Sequence, residues 1–211
     1  PETIAVYLTG KPKNGVGPQD VALAIIGSVF ASGFVKNKVL EFVGDGIKNL
    51  PIEFRNGIDV MTTETTCLSS IWVTDEATKA YFEVHGRPEA YSPLSPAPVA
   101  WYDGAVVVDL SKVESMIAMP FHPSNVYTVR EVCENPGDIL RAVEKQASEQ
   151  MELPDGLFRL TDKIVGDKIR VDQGVIAGCA GGTFDNLCAA AAILKNRSIG
   201  SDAFSLSAYP A

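Results

Sequence analysis

The sequence has 211 residues, 18 basic and 26 acidic side chains, a formal net charge of −8, and is 46% apolar and 21% charged. This composition excludes a disordered chain, which is poor in apolar residues and rich in charge. The acid excess, with no basic block, argues against nucleic acid or an anionic membrane surface as partner. The apolar runs, such as residues 21–26, are far too short to cross a bilayer, and the first residues lack the basic head and long apolar run of a signal peptide. Four cysteines, at 67, 133, 179 and 188, are too sparse for a disulfide scaffold and include no CxxC pair. A cytoplasmic protein with reduced thiols is the expectation. Both ends read as cut from something longer.

In chain order, residues 3–8 form an apolar, β-branched strand, and residues 9–17 a glycine-rich loop. Pro18 and Asp20 suit the first turn of a helix over 20–32, with Val21, Ala24, Ile25, Ser28 and Val29 as its face. A strand over 38–43 ends at Gly44-Asp45-Gly46. A short helical stretch follows over 47–50, and a further helix over 52–62. Thr74-Asp75-Glu76 caps a helix over 75–84, closed by Gly86 and Pro88. Four prolines between 87 and 98 mark a loop. Residues 105–110 are an apolar run broken only at Asp109, hence a buried strand. Past Pro123 the character changes. A charged amphipathic helix is expected within 131–152, with Ile139, Leu140, Val143 and Ala147 as its stripe. Strand 175–177, turn 178–182, helix 183–195 and strand 204–208 then make a βαβ unit. Both halves alternate strands and helices, so the class is α/β, with a boundary near residue 123.

Residues 174–188, GVIAGCAGGTFDNLC, place Cys179 where a strand ends and a helix begins. Ligands collect at the carboxyl ends of strands in open α/β sheets. Unpaired N–H groups and the helix dipole there favour a thiolate, which binds iron, zinc or an electrophile. Small Ala180, Gly181 and Gly182 leave room for a bulky group. The competing reading is inert packing, the usual fate of a free cysteine. Cys188, beside Leu187, Ala191 and Ala192, reads as core, and Cys67 and Cys133 as packing. Glu64, among Thr62, Thr63, Thr65 and Thr66, is a candidate proton-handling carboxylate or a solvated side chain. His85 and His122 are isolated and support no triad. Gly15-Val16-Gly17 lacks the third glycine of a dinucleotide fingerprint, and Pro18 brings no N–H to phosphate.

The order of the segments resembles the aconitase and isopropylmalate isomerase family of iron–sulfur hydratases. PETIAVYLTGKPKNGVGPQDVALAIIG is similar to the strand, loop and helix that follow that family's first domain. VLEFVGDGIKNLPIEFRNGIDVMTTETT, WYDGAVVVDLSKVESMIAMPFHPSN, GVIAGCAGGTFDNLCAAAAIL and FSLSAYPA resemble the family's later segments in order. The resemblance implies an internal stretch of a longer enzyme. Residues 1–123 correspond to an aconitase-like second domain with three α/β/α layers, and residues 124–211 to the N-terminal part of a similar third domain. It implies a hydro-lyase acting on a small hydroxy di- or tricarboxylic acid through a 4Fe–4S cluster held by three cysteines. Cys179 matches the first cluster ligand. Glu64 matches the Glu of the family's N-M-x-x-E motif, which faces the cluster-bound oxygen. The other ligand cysteines, expected as a CxxC, are not in this sequence.

Two departures stand out. The motif's Asn is Val60, and the Thr-Asn after the cluster cysteine is Ala180-Gly181, so hydrogen-bonding side chains are replaced by groups that offer none. They motivate an alternative: a non-catalytic relative that keeps the fold as a binding or interaction protein. A third reading is a nucleotide- or anion-binding α/β domain that uses the turn at residues 178–182. For the isolated fragment the expectation is no activity and no stable cluster, since one thiolate cannot replace the set such clusters use. Its partners are expected to be the remaining domains of the parent chain and the carboxylic acid substrate. Exposed sheet edges and faces would favour self-association.

Overall fold

The computed structural model describes residues 1–154, 156–201 and 203–211. The chain divides into two compact units, Pro1–Glu114 and Ser115–Ala211.

The first unit runs β1 (Thr3–Thr9), α1 (Pro18–Val29), β2 (Val39–Val43), α2 (Ile52–Asp59), β3 (Ser69–Trp72), α3 (Glu76–Val84) and β4 (Gly104–Asp109). The strands form one sheet in the order β3-β2-β1-β4, parallel throughout. Alternation along β1 sends Ile4, Val6 and Leu8 to one face, where all three are fully buried with Leu40 and Phe42 of β2. Val21, Ile25 and Val29 of α1 and Ile58 of α2 close over them. Each such side chain contributes roughly 1.5–3 kcal/mol by leaving water. The connections from β1 to β2 and from β2 to β3 step the same way across the sheet. Right-handed crossovers therefore put α1 and α2 on the same face, where they pack together.

Helix α1 opens two residues before the sequence suggests. Gly17 is its extended N-cap, Pro18 occupies the first turn, and the Asp20 carboxylate accepts the Gly17 N–H at 2.7 Å. Its buried face is wider than expected, taking in Ala22, Leu23 and Ile26, while Ser28 is exposed. The helix expected over 52–62 stops at Asp59, and a separate 3₁₀ turn occupies Thr62–Thr65. β3 was not anticipated, because SSIW is short and half polar.

The opposite face of the sheet is covered only in part: Ala5 and Val43 are buried there, but other side chains are not. Tyr7 is 44%, Ile71 41% and Val107 70% exposed. The apolar run around Val107 is thus a strand, but one buried on a single side: Val106 and Val108 pack into the core while Val107 does not. α3 buries none of its residues and lies against α2 and the 3₁₀ turn Pro88–Ala90. The first unit is thus mixed α/β, a parallel sheet with helices packed against it, as expected.

One buried cation ties the first unit together. Arg55 is only 3% exposed. Its Nε donates to the Leu50 carbonyl at 3.0 Å and its Nη2 to the Ile47 carbonyl at 3.1 Å. Nη1 and Nη2 meet the two oxygens of Asp75 at 3.0 and 2.6 Å. Asp75 is also the N-cap of α3, accepting the Thr78 N–H at 3.1 Å. Partial burial pushes the Asp75 carboxyl up, but the bonds from Arg55 and Thr78 outweigh it and hold it below its ordinary value.

The second unit contains β5 (Met116–Ala118), β6 (Val126–Thr128), α4 (Val129–Glu134), α5 (Pro136–Met151), β7 (Ile164–Val165), β8 (Lys168–Ile169), β9 (Gln173–Ile176), α6 (Gly178–Gly181), α7 (Phe184–Leu194) and β10 (Ser205–Ala208). β5 and β6 pair antiparallel around residue 123, and β7 pairs β8 in the same way. The helix expected within 131–152 is two helices. Pro136 has no N–H to continue α4, so a new helix begins there with Asn135 as its cap. Leu140, Val143 and Ala147 are buried as the stripe requires, with Met119 and Val132. Glu144 Oε1 accepts the N–H groups of Leu160 and Thr161, both at 2.5 Å, and the Thr161 hydroxyl at 2.9 Å. Partial burial raises this carboxyl, but those three donors prevail and lower it. β9 and β10 are parallel with α7 between them, the expected βαβ unit.

Replacing Arg55 with Leu strands the Ile47 and Leu50 carbonyls and the Asp75 carboxylate. Urea denaturation of Arg55→Leu should read a loss of roughly 2–4 kcal/mol. Asp75 and Glu144 both titrate below their unfolded values. Their contribution to stability is therefore complete above the ordinary carboxylate values, about pH 4, and is lost as pH falls below these through the lowered folded values. Urea midpoints measured from pH 7 down to pH 3 should fall less steeply in Glu144→Gln than in the parent sequence.

Candidate functional site

Cys179 sits directly beyond the carboxyl end of β9 and is exposed. Strand β9 ends at Ile176. Ala177 is the extended N-cap of α6, and Gly178 turns the chain with φ of +81°. The single turn of α6 then carries Cys179 and Ala180. Thr183 caps α7 in an extended conformation.

The turn is braced from three sides. The Gly182 N–H donates to the Gly178 carbonyl at 2.8 Å, and the Asn186 side-chain amide donates to the Ala180 carbonyl at 2.8 Å. The segment after β10 crosses it, with the Tyr209 N–H on the Ile176 carbonyl at 2.8 Å and the Ala211 N–H on the Gly182 carbonyl at 3.0 Å. A Cβ on Gly182 would stand 2.5 Å from the Tyr209 carbonyl oxygen. The glycines of this turn thus serve close backbone packing. Because the Gly182 N–H is already spent on Gly178, it is not free for the anion site read at residues 178–182.

Glu64 is half-buried on the 3₁₀ turn Thr62–Thr65. The Asn37 N–H donates to the Thr66 carbonyl at 3.0 Å, and the Leu68 N–H to the Lys38 carbonyl at 2.8 Å. These bonds put the turn beside the starts of β2 and β3, at the amino edge of the sheet. Glu64 is therefore away from the edge where ligands gather in open parallel sheets. It belongs to the first unit and Cys179 to the second, each with its own surroundings.

The carboxyl edge of the first sheet carries the DLS segment. Asp109 Oδ1 accepts the Ser111 N–H at 3.0 Å and the Ser111 hydroxyl at 2.6 Å, and these bonds lower its pKa. The Asn49 side chain reaches the Gly10 carbonyl at 2.8 Å beside it.

Sequence reasoning missed Arg55 and Asp59, the groups that hold α2 at each end. Asp59 Oδ1 accepts the Ser70 hydroxyl at 2.6 Å and the Trp72 indole N–H at 2.8 Å. Polar residues within a helical pattern give no signal of their partners until β3 is seen to lie beside them. Cys67 packs against the first core as expected. Cys133 and Cys188 do not pack: both are exposed, and α7 buries none of its side chains.

Among the described residues no group of three His, Cys, Asp or Glu side chains is placed to hold a metal ion. Cys179 is accessible enough to serve as one ligand of a cluster, but the described residues do not supply the rest of a 4Fe–4S set. None of the described helices is long and apolar enough to cross a membrane.

The accessible cysteine after β9 and the DLS turn after β4 lie in a stretch, residues 1–210, that matches the Aconitase family (aconitate hydratase). The chain belongs to the aconitase family. It is similar to the 3-isopropylmalate dehydratase large subunit of Lachnoclostridium phytofermentans, with 31% identity over 94% of this chain and 39% of the relative. The 3-isopropylmalate dehydratase large subunit 1 of Thermotoga maritima is 29% identical over 92% of this chain and 39% of its own length. The large subunit from Clostridium kluyveri is 29% identical over 96% and 40%. The chain thus spans about two fifths of the length of these aconitase-family relatives.

Gly182→Val should push the 209–211 segment off the cysteine turn. Hydrogen exchange followed by mass spectrometry should then report faster exchange at Gly182, Tyr209 and Ala211, with β1 to β4 unchanged.

Proposed function

We propose that this chain is part of an iron–sulfur-dependent hydro-lyase that removes and adds water on a small hydroxy di- or tricarboxylic acid. Similarity to dehydratase large subunits along nearly the whole chain carries the reading. Those relatives favour a hydroxy dicarboxylate of the 3-isopropylmalate type, and a second, smaller subunit as partner of the complete protein. Residues 1–123 then belong to one aconitase-like domain, and 124–211 open the next.

In this reading Cys179 is one thiolate ligand of a 4Fe–4S cluster. When bound, such a cluster supplies a Lewis-acidic iron that polarises the leaving hydroxyl. The remaining ligands come from other parts of the complete protein. The braced turn from Gly178 to Gly182 fixes where the Cys179 thiol points, and its small residues keep side chains away from that thiol. Glu64 holds or moves a proton on its carboxylate, on a turn pinned by its threonine neighbours. The 211-residue piece alone is inactive, because it brings one thiolate where a ligand set is needed.

Val60, Ala180 and Gly181 favour a second reading, in which the complete protein keeps the fold and binds a partner without turnover. None of these side chains can hydrogen-bond a substrate.

Anaerobic reconstitution of the full-length protein with iron and sulfide should give a brown chromophore and dehydration of 3-isopropylmalate or a close hydroxy acid. Cys179→Ser should abolish both. Glu64→Gln should keep the colour and lower kcat by about 10²-fold or more. Colour without turnover of any hydroxy di- or tricarboxylate would favour the non-catalytic reading.

A further inference from the structure

We infer that Asp59 is a positioning residue for the Glu64 turn, holding it through a relay of hydroxyls and the Trp72 indole that joins α2, the turn and β3. This inference rests on the role given to Glu64 above.

A four-residue 3₁₀ turn has poor hydrogen-bond geometry and is not rigid by itself. Here it is fastened on every side. The Asp59 carboxylate takes both of its donors on one oxygen: the Ser70 hydroxyl at 2.6 Å and the Trp72 indole N–H at 2.8 Å. Its main-chain carbonyl accepts the Thr62 hydroxyl at 2.7 Å, and that hydroxyl also lies 3.3 Å from Ser70 Oγ. The relay continues inward. Thr65, 1% exposed, donates its hydroxyl to the Thr62 carbonyl at 2.6 Å, and Cys67 Sγ reaches the same oxygen at 3.4 Å. Thr63 donates to the Val60 carbonyl at 3.3 Å. Thr62 and Thr65 line, with Ala22 and Ile26 of α1 and Ile58 of α2, the narrow seam on which the turn rests.

Glu64 is thus flanked by residues tied to α2 or buried against α1. The tie between α2 and β3 passes through the Asp59 side chain. Its anchor on β3 is stiff, because the Trp72 ring stacks on Phe42 with centroids 4.0 Å apart and planes 2° from parallel. Asp59 lies at the hinge between α2 and the turn; changing its side chain removes the Ser70 and Trp72 bonds, and with them the fixed Ser70 hydroxyl that meets Thr62, while the Thr62 bond to the Asp59 main-chain carbonyl remains. One acceptor oxygen with two lone pairs is all the site uses, and an asparagine carbonyl offers the same.

The test compares Asp59→Asn with Asp59→Leu in the full-length protein, with Ser70→Ala as a milder change should Asp59→Leu fail to fold. The amide exchange of Glu64 should rise about tenfold in Asp59→Leu and stay near the parent value in Asp59→Asn. The kcat should follow, falling about tenfold in Asp59→Leu with KM within about twofold, and recovering in Asp59→Asn. In Ser70→Ala the same changes should appear in smaller measure. Unchanged Glu64 exchange in a folded Asp59→Leu or Ser70→Ala protein overturns the inference. So does an equal loss of kcat in Asp59→Leu and Asp59→Asn. If Glu64→Gln turns over like the parent, the functional role of Glu64 falls, and the exchange result alone decides whether Asp59 holds the turn.

Discussion

A guanidinium taken out of water needs partners for its donors, and in the first unit that demand ties together the segments between β2 and α3. Arg55 meets it with two main-chain carbonyls from the segment before α2 and with both oxygens of Asp75 at the head of α3. Three pieces of chain, the segment before α2, α2 itself and the head of α3, are fixed to one point. A buried pair of this kind adds little net stability over an apolar substitute, but breaking it leaves charge and carbonyls stranded. Its value here is register: it sets where α2 begins, and hence where its far end delivers the Glu64 turn.

The second unit uses the mirror-image device. Glu144, an anion on α5, collects two N–H groups and a hydroxyl from residues 160 and 161. This fastens the irregular stretch before β7 to the helix that carries the local core. The cysteine turn is held differently, by main-chain bonds from the 209–211 segment and by the absence of a side chain at Gly182. The thiol itself is exposed, so its rigidity has to come from the backbone beneath it.

A parallel sheet is ordinarily covered on both faces. In the first unit one face is sealed by α1 and α2, while Tyr7, Ile71 and Val107 face outward. In the second, α7 buries no side chain although it is rich in alanine and leucine. The three dehydratase large subunits that the chain resembles are about two and a half times as long as it is.

The sequence by itself determined the alternation of strands and helices, the place of Pro18 in the first turn of α1, the βαβ unit and the placing of Cys179 at a strand end. Each follows from local periodicity, caps and glycines that act within a few residues. It left unseen the short strands β3, β5, β6, β7 and β8, since two to four residues carry too little pattern to register. The break at Asn135-Pro136 was legible in principle, because proline cannot continue a helix, yet the amphipathic stripe on either side disguised it. Only the tertiary structure decided that Cys133 and Cys188 are exposed, that Val107 faces out, and that Arg55 and Asp59 hold the two ends of α2. Those facts depend on which distant segment lies alongside: burial and pairing belong to contacts between segments, and no single stretch of chain encodes its own neighbour.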